Sequence, residues 1–333
     1  MVARMKAWRF HKFGAVENLR LEKAPLPEPG PGEALVRVQY AALNPADRYL
    51  IQGQYPRAGH PPLIVGRDGA GVVEAGSDLG LVRRGEPVLL LRSEVGVQRG
   101  GTLAQFTAVP EEALAPLPEG WTIQEGAAAP LVFLTAWQAL VTEADIQPKQ
   151  TVLITGASGG VGTAALTLAK ALGARVVALS RSAEKRSRLR RLGADLVFDS
   201  EIPDLVSVVR EALGGRRVDV AVDNLGGPYL QKAIHLTGFM GRVCVVGLLA
   251  GLKSEIEIAS LMFKRIRIIG ISMGGQTPGQ SQLAWERIVE TLDRTGARPV
   301  IDSVHPFDQV PRAFERLAQG PMGKVLVGPI PED

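Results

Sequence analysis

Apolar and polar residues alternate over short stretches in the first part of the chain, as they do at positions 36–40. A period of two is typical of a half-buried strand, and Gly and Pro residues separate the stretches as turns do. We therefore expect an irregular β barrel or sandwich in residues 1–125. The predicted strands are residues 5–8, 19–21, 34–41, 71–74, 88–91 and 105–109, with a turn region at 25–32.

After residue 126 the pattern changes to apolar runs that alternate with amphipathic helical segments. Strands that are apolar throughout, with helices between them, indicate a parallel sheet covered on both faces. Six such strands make a full doubly wound sheet. The predicted strands are residues 152–155, 175–179, 196–198, 218–222, 242–247 and 267–271. The predicted helices are residues 126–141, 164–172, 183–192, 205–213, 229–237 and 280–294.

The chain ends in a predicted strand–helix–strand tail whose last strand is residues 323–327. A tail this short would have a poor core by itself. We therefore expect it to pack on the first domain.

A glycine-rich turn, with the sequence ASGGVG at 157–162, lies between the first strand and the first helix of the six-strand region. A helix start offers unpaired N–H groups that attract phosphate, and glycines let the backbone approach a pyrophosphate. Since another strand follows at βαβ spacing, we predict nucleotide binding. Ala157 stands at the first glycine position, so close approach is expected to depend on Gly159, Gly160 and Gly162.

The composition, 46% hydrophobic and 22% charged residues, is that of a soluble globular protein, and 333 residues favour two domains. The net charge of +4 comes without a basic run or patch, so nucleic acid is not an expected partner. No apolar run reaches membrane-spanning length and no signal-peptide pattern is found, so we expect a cytoplasmic protein without a membrane partner. Cys244 is the single cysteine. It excludes an intramolecular disulfide and is expected to be a buried apolar residue.

Seven short motifs are spread over nearly the whole chain: NPAD at 44–47, GQYP at 53–56, VGRDGAG at 65–71, LTA at 134–136, ASGGVG at 157–162, DNLGG at 223–227 and GKV at 323–325. Together they resemble the medium-chain dehydrogenase/reductase superfamily, and most closely its zinc-independent quinone oxidoreductases. The resemblance implies an α/β protein with a GroES-like irregular β-barrel catalytic domain, residues 1–125 and 273–333. It also implies a Rossmann NADP-binding domain, residues 126–272, and an active site in the cleft between the two.

Zinc-dependent members of this superfamily hold their catalytic metal with a Cys, a His and a further Cys. At the matching motif positions this chain has Asn44, Arg67 and Leu131. Arginine cannot ligate zinc and leucine offers no donor atom. The four-cysteine lobe of structural zinc is missing and the four histidines are dispersed, so we expect no metal. Arg67 is expected to organise this position through a pair with Asp47 or Asp68.

The residue at the end of the second strand of a Rossmann domain usually separates NAD from NADP, because an acid there would repel a 2′-phosphate. This chain has Ser180 at that position, and Arg181 and Lys185 supply positive charge nearby. We therefore predict NADPH as the preferred cofactor, although Ser182 could simply cap the next helix. Motif and resemblance together give the predicted cofactor-binding residues Thr135, Ser158, Gly159, Gly160, Val161, Gly162, Ser180, Arg181, Lys185, Asn224, Gly247 and Lys324.

Hydride transfer to a conjugated carbonyl leaves negative charge on its oxygen, which a donor must stabilise or protonate. The predicted catalytic residues lie on the loop 44–55 and are Asn44, Tyr49 and Tyr55, which offer amide and phenol hydrogens. Related quinone reductases have an Asn and two Tyr at the matching positions. Tyr49 and Tyr55 could instead be half-buried packing residues. Asp47 is expected to be a structural hydrogen-bonding residue.

Three functions are compatible with these residues. The first is NADPH-dependent hydride transfer to a quinone or another small electrophile with an α,β-unsaturated carbonyl, without a metal. The second is reduction of an enoyl thioester, since the segment 44–56 also resembles the active-site loop of enoyl thioester reductases, in which the tyrosine matching Tyr55 donates a proton. The third is NADPH binding by a structural or regulatory protein without catalysis.

Residues 265–271, RIRIIGI, follow the pattern of the last strand in the sheet and therefore of an edge. An exposed apolar edge is a liability that pairing with a second copy removes. The resemblance also implies dimerisation at this strand, so we expect a homodimer formed near residues 266–271.

Overall fold

The structure is a computed structural model and describes residues 3–332. The chain forms two compact units. The first unit contains residues 1–131, 276–285 and 299–333, and the second contains residues 132–275 and 286–298. No helix in the described range 3–332 has the length and apolar character needed to cross a membrane.

The N-terminal segment is rich in short strands. They are β1 (Arg4–Phe10), β2 (Arg20–Pro25), β3 (Glu33–Ala42), β4 (Leu63–Ile64), β5 (Asp68–Ala75), β6 (Pro87–Leu90), β7 (Phe106–Pro110) and β8 (Leu114–Pro116). Three helices follow in this part of the chain: α1 (Pro45–Ile51) lies between β3 and β4, and α2 (Ile123–Ala128) and α3 (Pro130–Trp137) come after β8.

Strands and helices alternate in the middle of the chain. The strands are β9 (Thr151–Thr155), β10 (Arg175–Leu179), β11 (Leu196–Phe198), β12 (Val218–Asp223), β13 (Thr237–Val245) and β14 (Arg267–Gly270). The helices are α4 (Gly160–Ala171), α5 (Ala183–Arg191), α6 (Leu205–Ala212), α7 (Pro228–Leu236) and α8 (Ile258–Lys264). The tail contains α9 (Pro278–Asp293), β15 (Ile301–His305), α10 (Val310–Ala318) and β16 (Lys324–Val327).

Strand β3 is the centre of the first unit. The seven-stranded sheet has the order β15-β16-β3-β5-β6-β8, and β7 also pairs with β3. Val36 and Val38 are buried whereas Arg37 and Gln39 are only half-buried, so the period of two seen in the sequence reflects one face packed on the core. Strands β1, β2 and β4 form a separate three-stranded sheet.

The register around β3 brings three distant segments to one point. Ala42, at the end of β3, pairs with Asp68 at the start of β5 and with Leu326 in β16. The tail therefore completes the sheet of the N-terminal segment. Side chains just after β3, around Asp68 and at the start of β16 must consequently lie close together.

The second unit contains six parallel strands in the order β11-β10-β9-β12-β13-β14. This is the doubly wound order, with the first strand, β9, in the middle. Strands β9, β10 and β12 are buried along nearly their whole length, as expected for a sheet packed on both faces. The predicted six-stranded sheet is confirmed, and β14 is an edge strand as predicted.

The helical structure predicted over 126–141 is confirmed, but it is divided into α2, α3 and a π-helical segment (Gln138–Glu143). Thr122 and Glu125 cap the start of α2 reciprocally. Ala129 is the single residue between α2 and α3 and keeps right-handed helical dihedral angles, and Pro130, which has no N–H to donate, begins α3. The pattern also missed α1, α8, β4 and β8, which are too short to show a period.

Candidate functional site

Asn44 connects the end of β3 to helix α1, which occupies much of the segment predicted as a loop. Pro45 begins the helix, and the carboxylate of Asp47 accepts a hydrogen bond from the Asn44 N–H at 2.8 Å. A proline at the first position and an acid in the first turn are favourable helix-start features. Asp47 is thus the structural hydrogen-bonding residue that the sequence predicted, and it fixes Asn44 against the sheet.

Both ends of the Asn44 amide are occupied. Its Nδ2 donates to Asp68 Oδ2 at 2.9 Å and to the Ala42 carbonyl at 3.3 Å, and its Oδ1 accepts from Lys324 Nζ at 2.6 Å. An amide nitrogen has two hydrogens, and both are used. Asn44 therefore holds neighbouring groups in place and has no hydrogen left for the donor role predicted from the sequence.

Lys324 and Asp68 form a buried ion pair at 2.8 Å, with side chains 4% and 1% exposed. Asp68 Oδ1 accepts a further hydrogen bond from the Leu131 N–H at 3.2 Å. Because every buried charge here has partners, the pair can persist away from water. The sequence placed Lys324 among the cofactor-binding residues, whereas the structure brings it to Asn44 and Asp68.

Arg67 joins this network from the other side. Its Nε donates to Asp47 Oδ1 at 3.3 Å and its Nη1 donates to the Tyr55 hydroxyl at 3.0 Å. Its Cζ lies 4.4 Å from the centre of the Tyr55 ring, within cation–π range. Arg67 thus pairs with Asp47, one of the two partners predicted for it. Its third nitrogen, Nη2, is buried and has no hydrogen-bond partner among residues 3–332.

Arg67 and Asp47 shift each other's pKa. Burial opposes the charge of Arg67, but the Asp47 carboxylate and the Tyr55 phenol outweigh it and hold the pKa of Arg67 above its ordinary value. Burial also raises the pKa of Asp47, while Arg67 and the Asn44 N–H oppose that shift. A guanidinium stays charged under these conditions, so Tyr55 has a permanent cation beside its hydroxyl.

We call these six residues the polar cluster: Asn44, Asp47, Tyr55, Arg67, Asp68 and Lys324. Tyr49 does not join it. Its side chain is half-buried in α1, and no hydrogen bond connects its hydroxyl to the described part of the chain. Of the two predicted phenols, only Tyr55 is held by other polar groups.

A small cavity of about 10 Å³ lies against the cluster and is lined by Arg67, Asp68, Leu91, Arg92, Ser93 and Leu131. A space of this size holds one water-sized group. A larger pocket of about 310 Å³ shares Arg92 and Ser93 with it; its other lining residues are Glu94, Gln98, Arg99, Pro110, Ala113, Gln276 and Pro278. All of these residues belong to the first unit.

The three positions that carry zinc ligands in metal-dependent relatives meet at this cluster. Asn44 contacts Asp68, Arg67 lies beside Asp47, and the backbone of Leu131 contacts Asp68. Within residues 3–332 no group of three or more His, Cys, Asp or Glu side chains is placed to hold a metal ion. Arg67 occupies one of the three positions, and the buried Lys324 contacts Asn44 at another.

The glycine turn of the second unit connects β9 to α4. The helix begins at Gly160 with Gly159 as its cap, four residues earlier than predicted. The N–H groups of Ser158, Gly160 and Val161 lie in the turn or the first helical turn, where helices leave donors without internal partners. A Cβ on Gly162 would lie 2.5 Å from the Gly156 oxygen, so Gly162 is required for close helix–turn packing. A Cβ on Gly159 would meet only that oxygen, at 3.5 Å.

Asn224 and Gly247 lie beside this turn, at the ends of β12 and β13. The Thr155 hydroxyl donates to Asp223 Oδ1 at 2.6 Å, and Asn224 Nδ2 donates to the Thr155 carbonyl at 2.8 Å. A Cβ on Gly247 would lie 2.2 Å from the backbone carbonyl oxygen of Asn224, so this position requires glycine. Asn224 Oδ1 is buried without a partner among residues 3–332. These residues lie at the switch point between β9 and β12, where doubly wound sheets bind ligands.

The end of β10 has a basic surrounding. Ser180 is buried, Arg181 is exposed, and the Ser182 hydroxyl accepts from the Lys185 N–H as a helix cap. Arg186 is committed to other groups, since it donates to the Ser180 and Arg181 carbonyls and pairs with Asp199 at 2.8 Å. The other predicted cofactor residue of this unit, Thr135, is buried in α3.

Cys244 is fully buried in β13, and its thiol lies 3.2 Å from the Ala139 carbonyl. Burial raises the pKa of the thiol to about 12. The prediction of a buried cysteine is confirmed.

Two family models match the chain, one largely within each unit. The model of the alcohol dehydrogenase GroES-like domain matches residues 30–119, and the model of the zinc-binding dehydrogenase family matches residues 160–294. Quinone oxidoreductase from Rattus norvegicus is 29% identical over 327 residues and 97% of each chain. The synaptic vesicle membrane protein VAT-1 homolog from Mus musculus is 31% identical over 343 residues, 96% of this chain and 82% of that protein.

Solved structures show the same relationship. A structure described as an NAD-dependent alcohol dehydrogenase has a TM-score of 0.88 at 31% identity, covering 97% of this chain and 99% of that chain. A mycobacterial protein complexed with NADPH has a TM-score of 0.86 at 26% identity, with the same coverage. The chain therefore belongs to the medium-chain dehydrogenase/reductase superfamily, and it is an oxidoreductase of the quinone oxidoreductase-like type.

Proposed function

We propose that this protein transfers hydride from NADPH to a quinone or another α,β-unsaturated carbonyl without a metal. One observation carries the proposal: Asn44 and Arg67, at two of the three zinc-ligand positions, belong to a buried polar cluster in which the Tyr55 hydroxyl accepts a hydrogen bond from Arg67 Nη1 at 3.0 Å. Such a cluster can supply a proton and stabilise negative charge, which are the tasks left when no metal polarises the carbonyl.

The second unit has groups that suit a nicotinamide dinucleotide. The start of α4 offers backbone donors for the pyrophosphate. Asn224 Oδ1 is a buried acceptor without a partner among residues 3–332, which suits a donor group on the cofactor. When bound, the cofactor supplies the hydride, and the protein's own residues supply binding, orientation and the proton.

The preference for NADPH is supported by the residues after β10. A serine occupies the position of the acid that would favour NAD, and the exposed side chain of Arg181 adds positive charge. Similar structures include one described as NAD-dependent and one solved with NADPH. Because they differ in cofactor, the proposal for this chain is based on its own residues after β10.

In the proposed reaction Tyr55 donates the proton. Its oxygen accepts a hydrogen bond from Arg67 Nη1, so its own hydrogen is free to point elsewhere. The neighbouring guanidinium would stabilise the phenolate that remains after transfer. Asn44 and Lys324 act as positioning residues, because their polar atoms are committed to each other and to Asp68.

Reduction of an enoyl thioester is the second candidate, and the same Tyr55–Arg67 contact favours it, since saturating an enoyl group requires a proton as well as a hydride. Assays with a benzoquinone, an alkenal and a crotonyl thioester, each with NADPH, separate the candidates. We expect turnover of the quinone and of at least one enone. Tight NADPH binding without turnover of any of the three would instead support a structural or regulatory role.

We also propose that the protein is a homodimer. The outer edge of β14 is unpaired among residues 3–332, and α8, which precedes it, exposes Met262 and Phe263 by 66% and 79%. Large apolar side chains beside an open strand edge favour pairing with a second copy.

A further inference from the structure

One nitrogen of the Arg67 guanidinium, Nη2, is buried without a hydrogen-bond partner among residues 3–332. The side chain of Arg67 is 7% exposed. A buried donor left unsatisfied is costly, and more so when the group is charged. The other two nitrogens of the same guanidinium are engaged by Asp47 and Tyr55. Nη2 is therefore the nitrogen of this guanidinium that still has no acceptor, and both of its hydrogens are open to a new one.

The cavity beside Arg67 limits what that partner can be. Its volume of about 10 Å³ has room for one oxygen-sized group. The charged residues around it are already balanced, since Arg67 pairs with Asp47, Lys324 with Asp68, and Arg92 with Glu94. A balanced site has no net charge that would retain a resident anion, so a neutral oxygen that becomes negative during a reaction suits it better.

We propose that Arg67 binds the carbonyl oxygen of the substrate through Nη2 and stabilises the negative charge that forms on it. The proposal rests on the proposed function and assigns Arg67 a catalytic role. Nη1 and Nη2 are bonded to the same carbon, so an oxygen held by Nη2 lies next to the hydroxyl that Nη1 holds. One guanidinium thus places the carbonyl oxygen and the proton of Tyr55 side by side.

Reduction of an enone requires one hydride and one proton. Hydride adds to the β-carbon of an enone, a C–H bond forms, and the π electrons of the C=C bond move to give an enolate with its charge on oxygen. Tyr55 then transfers its proton to the enolate oxygen beside it, the enol that forms tautomerises in water to the saturated carbonyl compound, and the phenolate beside Arg67 regains a proton from water. The substrate is reduced by two electrons and the nicotinamide of NADPH is oxidised by two.

The position of Arg67 is well suited to this task because it is fixed before the substrate binds. Asp47 holds Nε, and the Tyr55 ring lies against the guanidinium plane at 4.4 Å. Donors that are oriented in advance need no rearrangement when charge develops, and this is the main source of electrostatic catalysis. Arginine also stays charged at every working pH, unlike lysine.

Binding of 4-nitrophenol tests this role without turnover, because its phenolate mimics an enolate and absorbs at a wavelength distinct from the phenol. The probe is titrated into the protein saturated with NADP⁺, at a pH below the solution pKa of the probe. We expect the phenolate band to appear on binding to the wild-type protein. In the double variant Arg67→Met/Asp47→Asn, which removes both members of the buried pair together, phenolate affinity should fall roughly 10- to 100-fold.

Two further variants keep the test decisive. Asp47→Asn preserves Arg67 and removes its counter-charge, so it should bind the phenolate at least as tightly as the wild type. If the double variant does not fold, weaker phenolate binding by folded Asp47→Asn than by the wild type overturns the proposal. Arg84→Gln removes an exposed guanidinium of the first unit and should change nothing. The proposal is overturned if 4-nitrophenol does not bind as the phenolate, or if the double variant binds it as tightly as Asp47→Asn.

Failure of the proposed function has a different signature. A protein that binds the phenolate through Arg67 but reduces no quinone, alkenal or thioester retains the oxyanion site and lacks the reaction. A protein that reduces these substrates equally well after loss of Arg67 has the reaction and lacks the proposed site.

Discussion

At the scale of single residues, the Arg67 guanidinium connects the Asp47 carboxylate to the Tyr55 hydroxyl. Asp47 as a structural residue, and its pairing with Arg67, follow from motif position and charge. The contact between Arg67 and Tyr55 was not predicted, because it depends on how the chain after α1 folds back on the start of β5. The predicted donor role of Asn44 ignored its neighbours, and both of its amide hydrogens are taken by Asp68 and Ala42.

Replacement of Tyr55 by phenylalanine tests the proton donor. Tyr55→Phe removes the hydroxyl that Arg67 holds and keeps the ring that packs on the guanidinium. We expect kcat for an alkenal or a crotonyl thioester to fall by roughly 10²–10⁴, the usual contribution of a general acid. Quinone reduction should fall much less, because a quinone is reduced more easily.

Tyr49→Phe is the matched control for this prediction, since Tyr49 is a half-buried tyrosine outside the polar cluster. It should leave both activities near wild type. Equal losses for all substrates in Tyr55→Phe would argue against a proton-donor role for Tyr55.

At the scale of secondary-structure elements, long buried segments were predictable and short ones were not. The six parallel strands are continuous apolar runs, so their pattern survives without knowledge of the fold. Helices α1 and α8 have seven residues each, too few for a helical period to emerge. The helical segment predicted over 126–141 is divided at Ala129, because Pro130 has no N–H to donate to the preceding turn.

Two glycines of the turn before α4 should respond differently to alanine. In Gly162→Ala the new Cβ would lie 2.5 Å from the Gly156 oxygen, so we expect a loss of roughly 1–3 kcal/mol in unfolding free energy. In Gly159→Ala the Cβ would lie 3.5 Å from that oxygen, and stability should be retained while NADPH affinity falls. Thermal unfolding with and without NADPH measures both effects, and equal Tm values for the two variants would refute the assignment.

The edge strand β14 should control assembly. We expect a homodimer in solution that Ile268→Lys converts to a monomer, because a buried charge on the paired edge has no partner. Light scattering coupled to gel filtration measures the mass. The control Leu81→Lys changes an exposed leucine in the first unit. This variant should remain dimeric. A monomeric wild-type protein would contradict the assembly proposal.

At the scale of the whole molecule, each unit has its own group of candidate functional residues. The first has the polar cluster, and the second has the glycine turn at the switch point of its sheet. The turn was predictable because its residues are contiguous. The cluster was only partly predictable, because Lys324 and Asn44 are 280 positions apart and meet only through the register of β3 with β5 and β16.

The central claim is a metal-independent reaction that uses NADPH. Its most direct test is kcat/KM for NADPH and for NADH with a benzoquinone, measured on protein dialysed against a chelator. We predict full activity after chelation and a kcat/KM for NADPH at least about tenfold above that for NADH, since a 2′-phosphate gains charge-assisted contacts near Arg181. A preference for NADH, or activity that chelation abolishes and zinc restores, would contradict the account.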